Sequence, residues 1–226
     1  SDLFIGFVES GVPLGVTFSF LIASPMVNEI ALIMLWGMFG WKIALIYIGT
    51  GLLIAVVAGL VIGKLKMEKY VQDYVWEMRV GHQNVTKLDF AGRFEYARTY
   101  TLELLRKIWI YVIVGIGLGA FIHGYVPQDF LAAWAGPSNP FAVPIAVALG
   151  VPLYANAAGV IPIVHALMEK GMAIGTVLAF MMAVTALSFP EAIILSNVLK
   201  RRLLVTFFCV VAFAIVCVGY LFNIIL

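Results

Sequence analysis

Apolar residues fill this chain in long blocks, and the way polar residues divide them carries most of the information. Residues 43–62 and 203–226 are uninterrupted. Each is close to the roughly 20 residues that a helix needs to cross a hydrocarbon layer of about 30 Å. Residues 12–39 and 172–199 are equally apolar but broken near their middles. The breaks fall at Ser24-Pro25-Met26-Val27-Asn28-Glu29, around Pro25, and at Ser188-Phe189-Pro190-Glu191. Hydrocarbon cannot satisfy freed backbone groups, so such breaks survive only where protein or a wet cavity surrounds them. Paired interruptions, one in each half, point to a transporter's binding site.

The remaining blocks are shorter. Residues 108–122 make a further span, with Trp134 as an interfacial anchor beyond it. Residues 141–150 and 161–168 are two limbs too short to cross, separated by Val151-Pro152-Leu153-Tyr154-Ala155-Asn156-Ala157-Ala158-Gly159. A helix of ten residues is only about 15 Å long, half the core. The pattern predicts an all-α polytopic membrane protein with broken helices, a re-entrant hairpin and inverted repeats. The short alternating strands of a membrane β-barrel are missing from the pattern.

Composition agrees: 63% of the 226 residues are hydrophobic and 12% charged, against about 45–50% and 25% in soluble domains. Net charge is +2, but nine of fourteen basic residues lie in residues 64–107, beside six acids. Within that stretch, residues 67–77 read as an amphipathic helix carrying Tyr70 and Tyr74 four apart. We therefore divide the chain into a first, N-terminally incomplete transmembrane repeat (1–63), a cytoplasmic helical linker (64–107) and a second repeat (108–226). Basic residues at both ends of the linker place it in the cytoplasm. The start at Ser1-Asp2-Leu3-Phe4, without methionine and inside an apolar stretch, suggests truncation. Cys209 and Cys217 lie eight apart in the last span, too far apart along one helix for a disulfide, and read as small packing residues.

Sliding the chain on itself until Glu9 meets Glu169 also pairs Gly11 with Gly171, Gly15 with Gly175, Phe20 with Phe180, Ala23 with Ala183, Leu35 with Leu195 and Lys42 with Arg202. The order of features repeats too, although the breaks themselves align only after a shift of a few residues. Lys200-Arg201-Arg202 should share the cytoplasmic side with the linker. Residues 141–168 must then re-enter and return, which inverts one half relative to the other. Tyr154 and Asn156 would sit at the tip of that hairpin, near mid-membrane.

The stretch Gly11-Val-Pro-Leu-Gly15…Phe20-Leu-Ile-Ala-Ser-Pro-Met-Val-Asn-Glu-Ile-Ala31 resembles the predicted-permease family that includes the organoarsenical efflux permeases. Gly150-Val-Pro-Leu-Tyr-Ala-Asn-Ala-Ala-Gly-Val-Ile-Pro162 is similar to the second-half counterpart of that family's first hairpin. The resemblance implies a membrane permease, and an exporter of trivalent organoarsenicals where thiolates are present. Here the second-half tip carries Ala155, Asn156 and Ala157 in place of cysteines, and Cys209 and Cys217 do not match the motif. Thiolate binding of a soft metalloid therefore has no support in these residues.

Candidate substrate-binding residues are those at the breaks and the tip: Ser24, Pro25, Asn28, Glu29, Tyr154, Asn156, Ser188, Pro190 and Glu191. Half-helices begin after each break, and their N-termini favour an anionic group. Acids inside a membrane mark ion or proton sites by default, while a plain cap of the half-helix is the alternative for Glu29 and Glu191. Ser24 and Ser188 could instead satisfy freed carbonyls. The Asn156 amide could tie the hairpin tip together, and Tyr154 could simply pack. His165 is a proton-relay candidate by its titration range, or a satisfied structural histidine. Met168, Met172, Met181 and Met182 read as packing.

No His-Glu-x-x-His, Gly-x-Ser-x-Gly or paired-Asp setting supports an intramembrane enzyme. There is no nucleotide-binding loop, no metal set and no implied cofactor, so coupling would be to an ion gradient or a separate subunit. The expected function is a secondary permease moving a small solute, an organoarsenical or other metalloid compound among the candidates, across a bacterial or archaeal cytoplasmic membrane. The alternative is a channel or a non-transporting membrane subunit. Expected partners are the lipid bilayer, a small molecule or ion, and further copies of the chain, with no nucleic acid.

Overall fold

The computed structural model describes residues 6–8, 10–73, 95, 98, 102, 139–153, 157–169 and 171–226. In chain order the helices are α1 (Leu14–Met26), α2 (Glu29–Phe39), α3 (Trp41–Lys64), α4 (Ala142–Gly150), α5 (Ala157–Glu169), α6 (Ile174–Ala186), α7 (Phe189–Ser196) and α8 (Arg201–Ile225). Among the described residues α3 and α8 are each long and apolar enough to cross a membrane, and α1 and α2 pass that test only together, as a pair bent by 50° that is either one broken span or a re-entrant loop. The chain is an integral membrane protein. The span expected at residues 108–122 lies outside the described residues.

One face of each long helix is buried although nearly every residue is apolar. On α3 the buried positions are Ala44, Tyr47, Gly51, Ile54, Ala55, Ala58, Gly59 and Ile62, the three-and-four spacing of a single helical face. Leu45, Leu52, Leu53, Val56 and Leu60 on the other side are exposed, as suits contact with lipid. α6 differs: every residue from Gly175 to Ala186 is buried. It is the central rod, packed by α4, α5 and α8. Cys209 and Cys217 face outward on α8, which corrects their expected role as packing residues: they fall on its exposed side, away from the row Leu203, Phe207, Val211 and Ile215.

Pro25 does not mark the first break, contrary to expectation. It lies inside α1, and the helix runs on to Met26 before breaking at Val27–Asn28. A proline in the last turn forfeits one hydrogen bond without ending the helix by itself. The second break is at Leu187–Ser188, with Pro190 in the first turn of α7, where that helix needs no N–H from it. One proline thus lies in the last turn of a helix and the other in the first turn of the next. The expected shift between the breaks disappears: Leu14 and Ile174, Glu29 and Phe189, and Trp41 and Arg201 each start equivalent helices. Their spacing is the one that separates Gly11 from Gly171, and both of those glycines take a left-handed turn, at φ 79° and 84°.

The same interval governs packing. α1 crosses α3 with Gly15 against Gly59, and α6 crosses α8 with Gly175 against Gly219. A Cβ on Gly15 would sit 2.6 Å from the Gly59 carbonyl oxygen, and one on Gly175 would sit 2.5 Å from that of Gly219. Small residues let the backbones approach this closely.

The linker begins differently from the expected amphipathic helix. Glu68–Tyr70 is a single 3-10 turn and Val71 is extended, bridged to Leu199. The Gln72 N–H donates to the Val198 carbonyl at 2.9 Å, and the Lys200 N–H to the Tyr70 carbonyl at 2.7 Å. Pairing with a second segment holds these residues out of a helix. Lys200 also meets Asp73 at 2.8 Å, and Arg202 donates to the Tyr70 hydroxyl at 3.3 Å. The end of α3 and the start of α8 therefore lie together at one end of the bundle. Elsewhere Phe39 at the end of α2 meets His165 on α5, with ring centroids 6.1 Å apart.

Candidate functional site

Both sequence-predicted breaks are real, but they differ in their surroundings. At the first, Asn28 accepts the Ala31 N–H through Oδ1 at 3.2 Å, capping α2 as asparagine commonly does. Glu29 follows in the first turn of α2 and is exposed, as is Ser24 on α1, while Pro25 is partly covered. At the second break Ser188 is buried in an extended conformation, and Glu191 sits partly buried in the first turn of α7. Pro190 belongs to that same turn. Neither serine hydroxyl hydrogen-bonds a freed carbonyl among the described residues. Tyr154 and Asn156 lie outside the described residues.

The second break is stitched to the segment after α4. The Phe189 N–H donates to the Val151 carbonyl at 3.1 Å, so two stretches of irregular backbone satisfy each other, as hydrocarbon demands. That bond has a consequence for the end of α6. In a continuous helix the Phe189 N–H would serve the Thr185 carbonyl, and residue 190 would serve that of Ala186. The first is diverted and the second does not exist, because residue 190 is proline. Among the described residues no main-chain N–H reaches either carbonyl.

His165 stands apart from both breaks. Its Nδ1 lies 3.5 Å from Glu169 one turn further along α5, and both side chains are substantially exposed. The structure brings it to Phe39 and not to Glu191. Met172, Met181 and Met182 are buried in the core, in keeping with packing.

Two residues that sequence reasoning missed complete the picture. Tyr47 on α3 is 1% exposed, and its hydroxyl has no hydrogen-bond partner among the described residues. Thr185, in the last turn of α6, faces it but stays outside hydrogen-bond geometry. The Thr185 hydroxyl instead donates back to the Met181 and Met182 carbonyls at 3.0 and 3.1 Å. Buried polar groups are almost always paired, so an orphan calls for an explanation. A tyrosine in an apolar span could have been flagged as amphipathic; nothing in the sequence pairs it with Thr185.

A family model described as "predicted permease" matches residues 2–224. The chain belongs to that family. Of curated proteins, a UPF0718 protein of Methanocaldococcus jannaschii is 32% identical over 127 residues, which is 56% of this chain and 34% of the relative. The match thus takes in about a third of that relative's own length. No solved structure matches the chain.

Proposed function

We propose that this predicted-permease chain forms the core of a secondary transporter, moving a small solute across the cytoplasmic membrane by alternating access between two inverted halves. The supporting observation is the exchange of ends. α3 and α8 occupy equivalent places in the two halves, yet the segment leaving α3 is bonded to the segment entering α8. Equivalent spans that meet end to start run in opposite directions, which is the arrangement of an inverted repeat. The short limbs α4 and α5 are read as the re-entrant hairpin, whose first limb ends at the residue bonded to the second break, Val151. By the excess of Lys and Arg, the end carrying Lys64, Lys66, Lys69, Lys200, Arg201 and Arg202 is cytoplasmic.

The solute would bind between the breaks, within reach of Asn28 and Glu191. Trivalent organoarsenicals are the first solutes to test, given the family resemblance. Both cysteines of the chain sit on the outer face of α8, so recognition would rely on oxygen and backbone groups here. The test is uptake of methylarsonous acid into everted vesicles carrying the full protein. Saturable uptake, lost in Glu191→Gln and Asn28→Ala but kept in Asn28→Asp, which preserves the cap, supports the permease. Uptake that rises without saturation favours a channel, and no uptake above empty vesicles removes this solute class.

A further inference from the structure

We propose that the C-terminal end of α6 is a binding site for a monovalent cation, Na+, formed by the carbonyls of Thr185 and Ala186, the Thr185 hydroxyl oxygen and the Tyr47 hydroxyl oxygen. Three independent features converge on that one turn. First, the two carbonyls lose their helical donors, one to Val151 and one to the proline at 190. Both residues are buried, Thr185 at 6% and Ala186 at 2% exposure; neither carbonyl finds a main-chain donor among the described residues, and a buried carbonyl without one is costly. Second, the Thr185 hydroxyl spends its proton on Met181 and Met182, so its remaining lone pair can only accept. Third, the buried Tyr47 hydroxyl, which makes no hydrogen bond within ordinary geometry among the described residues, comes from the other half to lie beside the Thr185 side chain.

The character of the ligand follows from the atoms. A helix C-terminus carries the negative end of the dipole, and carbonyl and hydroxyl oxygens repel an anion. Calcium and magnesium prefer sites with carboxylates, whereas all four oxygens named here are neutral. Unwound carbonyls at half-helix ends coordinate Na+ in transporters built of broken helices. Because Tyr47 comes from the first half and Thr185 from the second, a bound cation would hold the halves together. Calling it a coupling ion rests on the permease reading; its binding does not.

The test therefore uses no transported solute. Thermal unfolding of the full protein in detergent is compared in NaCl and in N-methylglucamine chloride at equal ionic strength. With Na+ at about ten times its dissociation constant, the midpoint should rise by roughly 3–6 °C. Thr185→Val should lose the rise and Thr185→Ser should keep it. Tyr47→Phe should shrink it while leaving the Na+-free midpoint unchanged or higher, because it deletes an orphan hydroxyl. Equal midpoints in the two salts would overturn the proposal, leaving the turn to water. A Na+ effect that survives intact in both Thr185→Val and Tyr47→Phe would overturn it as well. Failure of methylarsonous acid uptake with a normal Na+ shift would count against the solute, not the cation site.

Discussion

Replacing Gly15 by alanine is the sharpest perturbation of the packing between helices. The added Cβ would lie 2.6 Å from the Gly59 carbonyl oxygen and 3.2 Å from the Gly63 Cα. Both neighbours are main-chain atoms, so no rotamer change relieves the clash. α1 must retreat from α3 by at least about 0.8 Å to bring that 2.6 Å approach to the 3.4 Å at which ordinary contact begins. Overpacking of this kind costs about 1–3 kcal/mol, while exchanging a helical glycine for alanine returns about 0.5–1 kcal/mol. The net expectation is a loss of about 0–2.5 kcal/mol, or up to roughly 10 °C in the unfolding midpoint. Gly175→Ala should behave alike, since its Cβ would meet the Gly219 carbonyl oxygen and the Asn223 nitrogen at 2.5 Å. Gly49→Ala is the internal control: nothing lies within 4 Å of its Cβ position, so only the propensity gain remains. Size-exclusion chromatography after heating, followed by tryptophan fluorescence, reads all three. Equal stability of Gly15→Ala and Gly49→Ala would refute the close crossing.

Further outcomes are expected elsewhere. Asn223 caps α6 from α8, accepting the Thr176 N–H at 3.2 Å and donating to the Thr176 hydroxyl at 3.1 Å; Asn223→Ala should cost about 0.5–2 kcal/mol in thermal unfolding, and no loss would mean water caps the helix equally well. Breaking the exposed Lys200–Asp73 pair with Lys200→Gln should cost under about 1 kcal/mol, whereas a larger loss would show that the strand-like bridge depends on it. In a background with Cys209 and Cys217 replaced by serine, Lys66→Cys and Arg201→Cys should react with an impermeant maleimide from one side, and Glu169→Cys from the other. Labelling of all three from the same side would remove the inverted arrangement.

Much of the architecture was legible along the chain, and specific residues show why. Unbroken apolar blocks at 43–62 and 203–226 had to become spanning helices, because backbone groups in lipid can be satisfied in no cheaper way. The breaks announced themselves through Pro25, Asn28, Ser188 and Pro190, and Gly11 and Gly171 marked two matching left-handed turns. Their register was not legible, because a proline can close one helix or open the next with the same local chemistry. The amphipathic reading of residues 67–77 failed at Val71 for a similar reason: its partner, Leu199, belongs to the other half of the chain.

What the sequence determined by itself is therefore whatever the bilayer dictates residue by residue: helical spans, their lengths, and the presence of two interruptions. Only tertiary structure decided which of four glycines in α3 a neighbour touches, that Phe189 gives its N–H to Val151, and that Tyr47 faces Thr185. Those outcomes depend on pairs remote in the chain, whose meeting is set by how the rods cross. In a sequence this uniformly apolar, hydrophobicity places residues in the membrane but gives no instruction about which of them will touch.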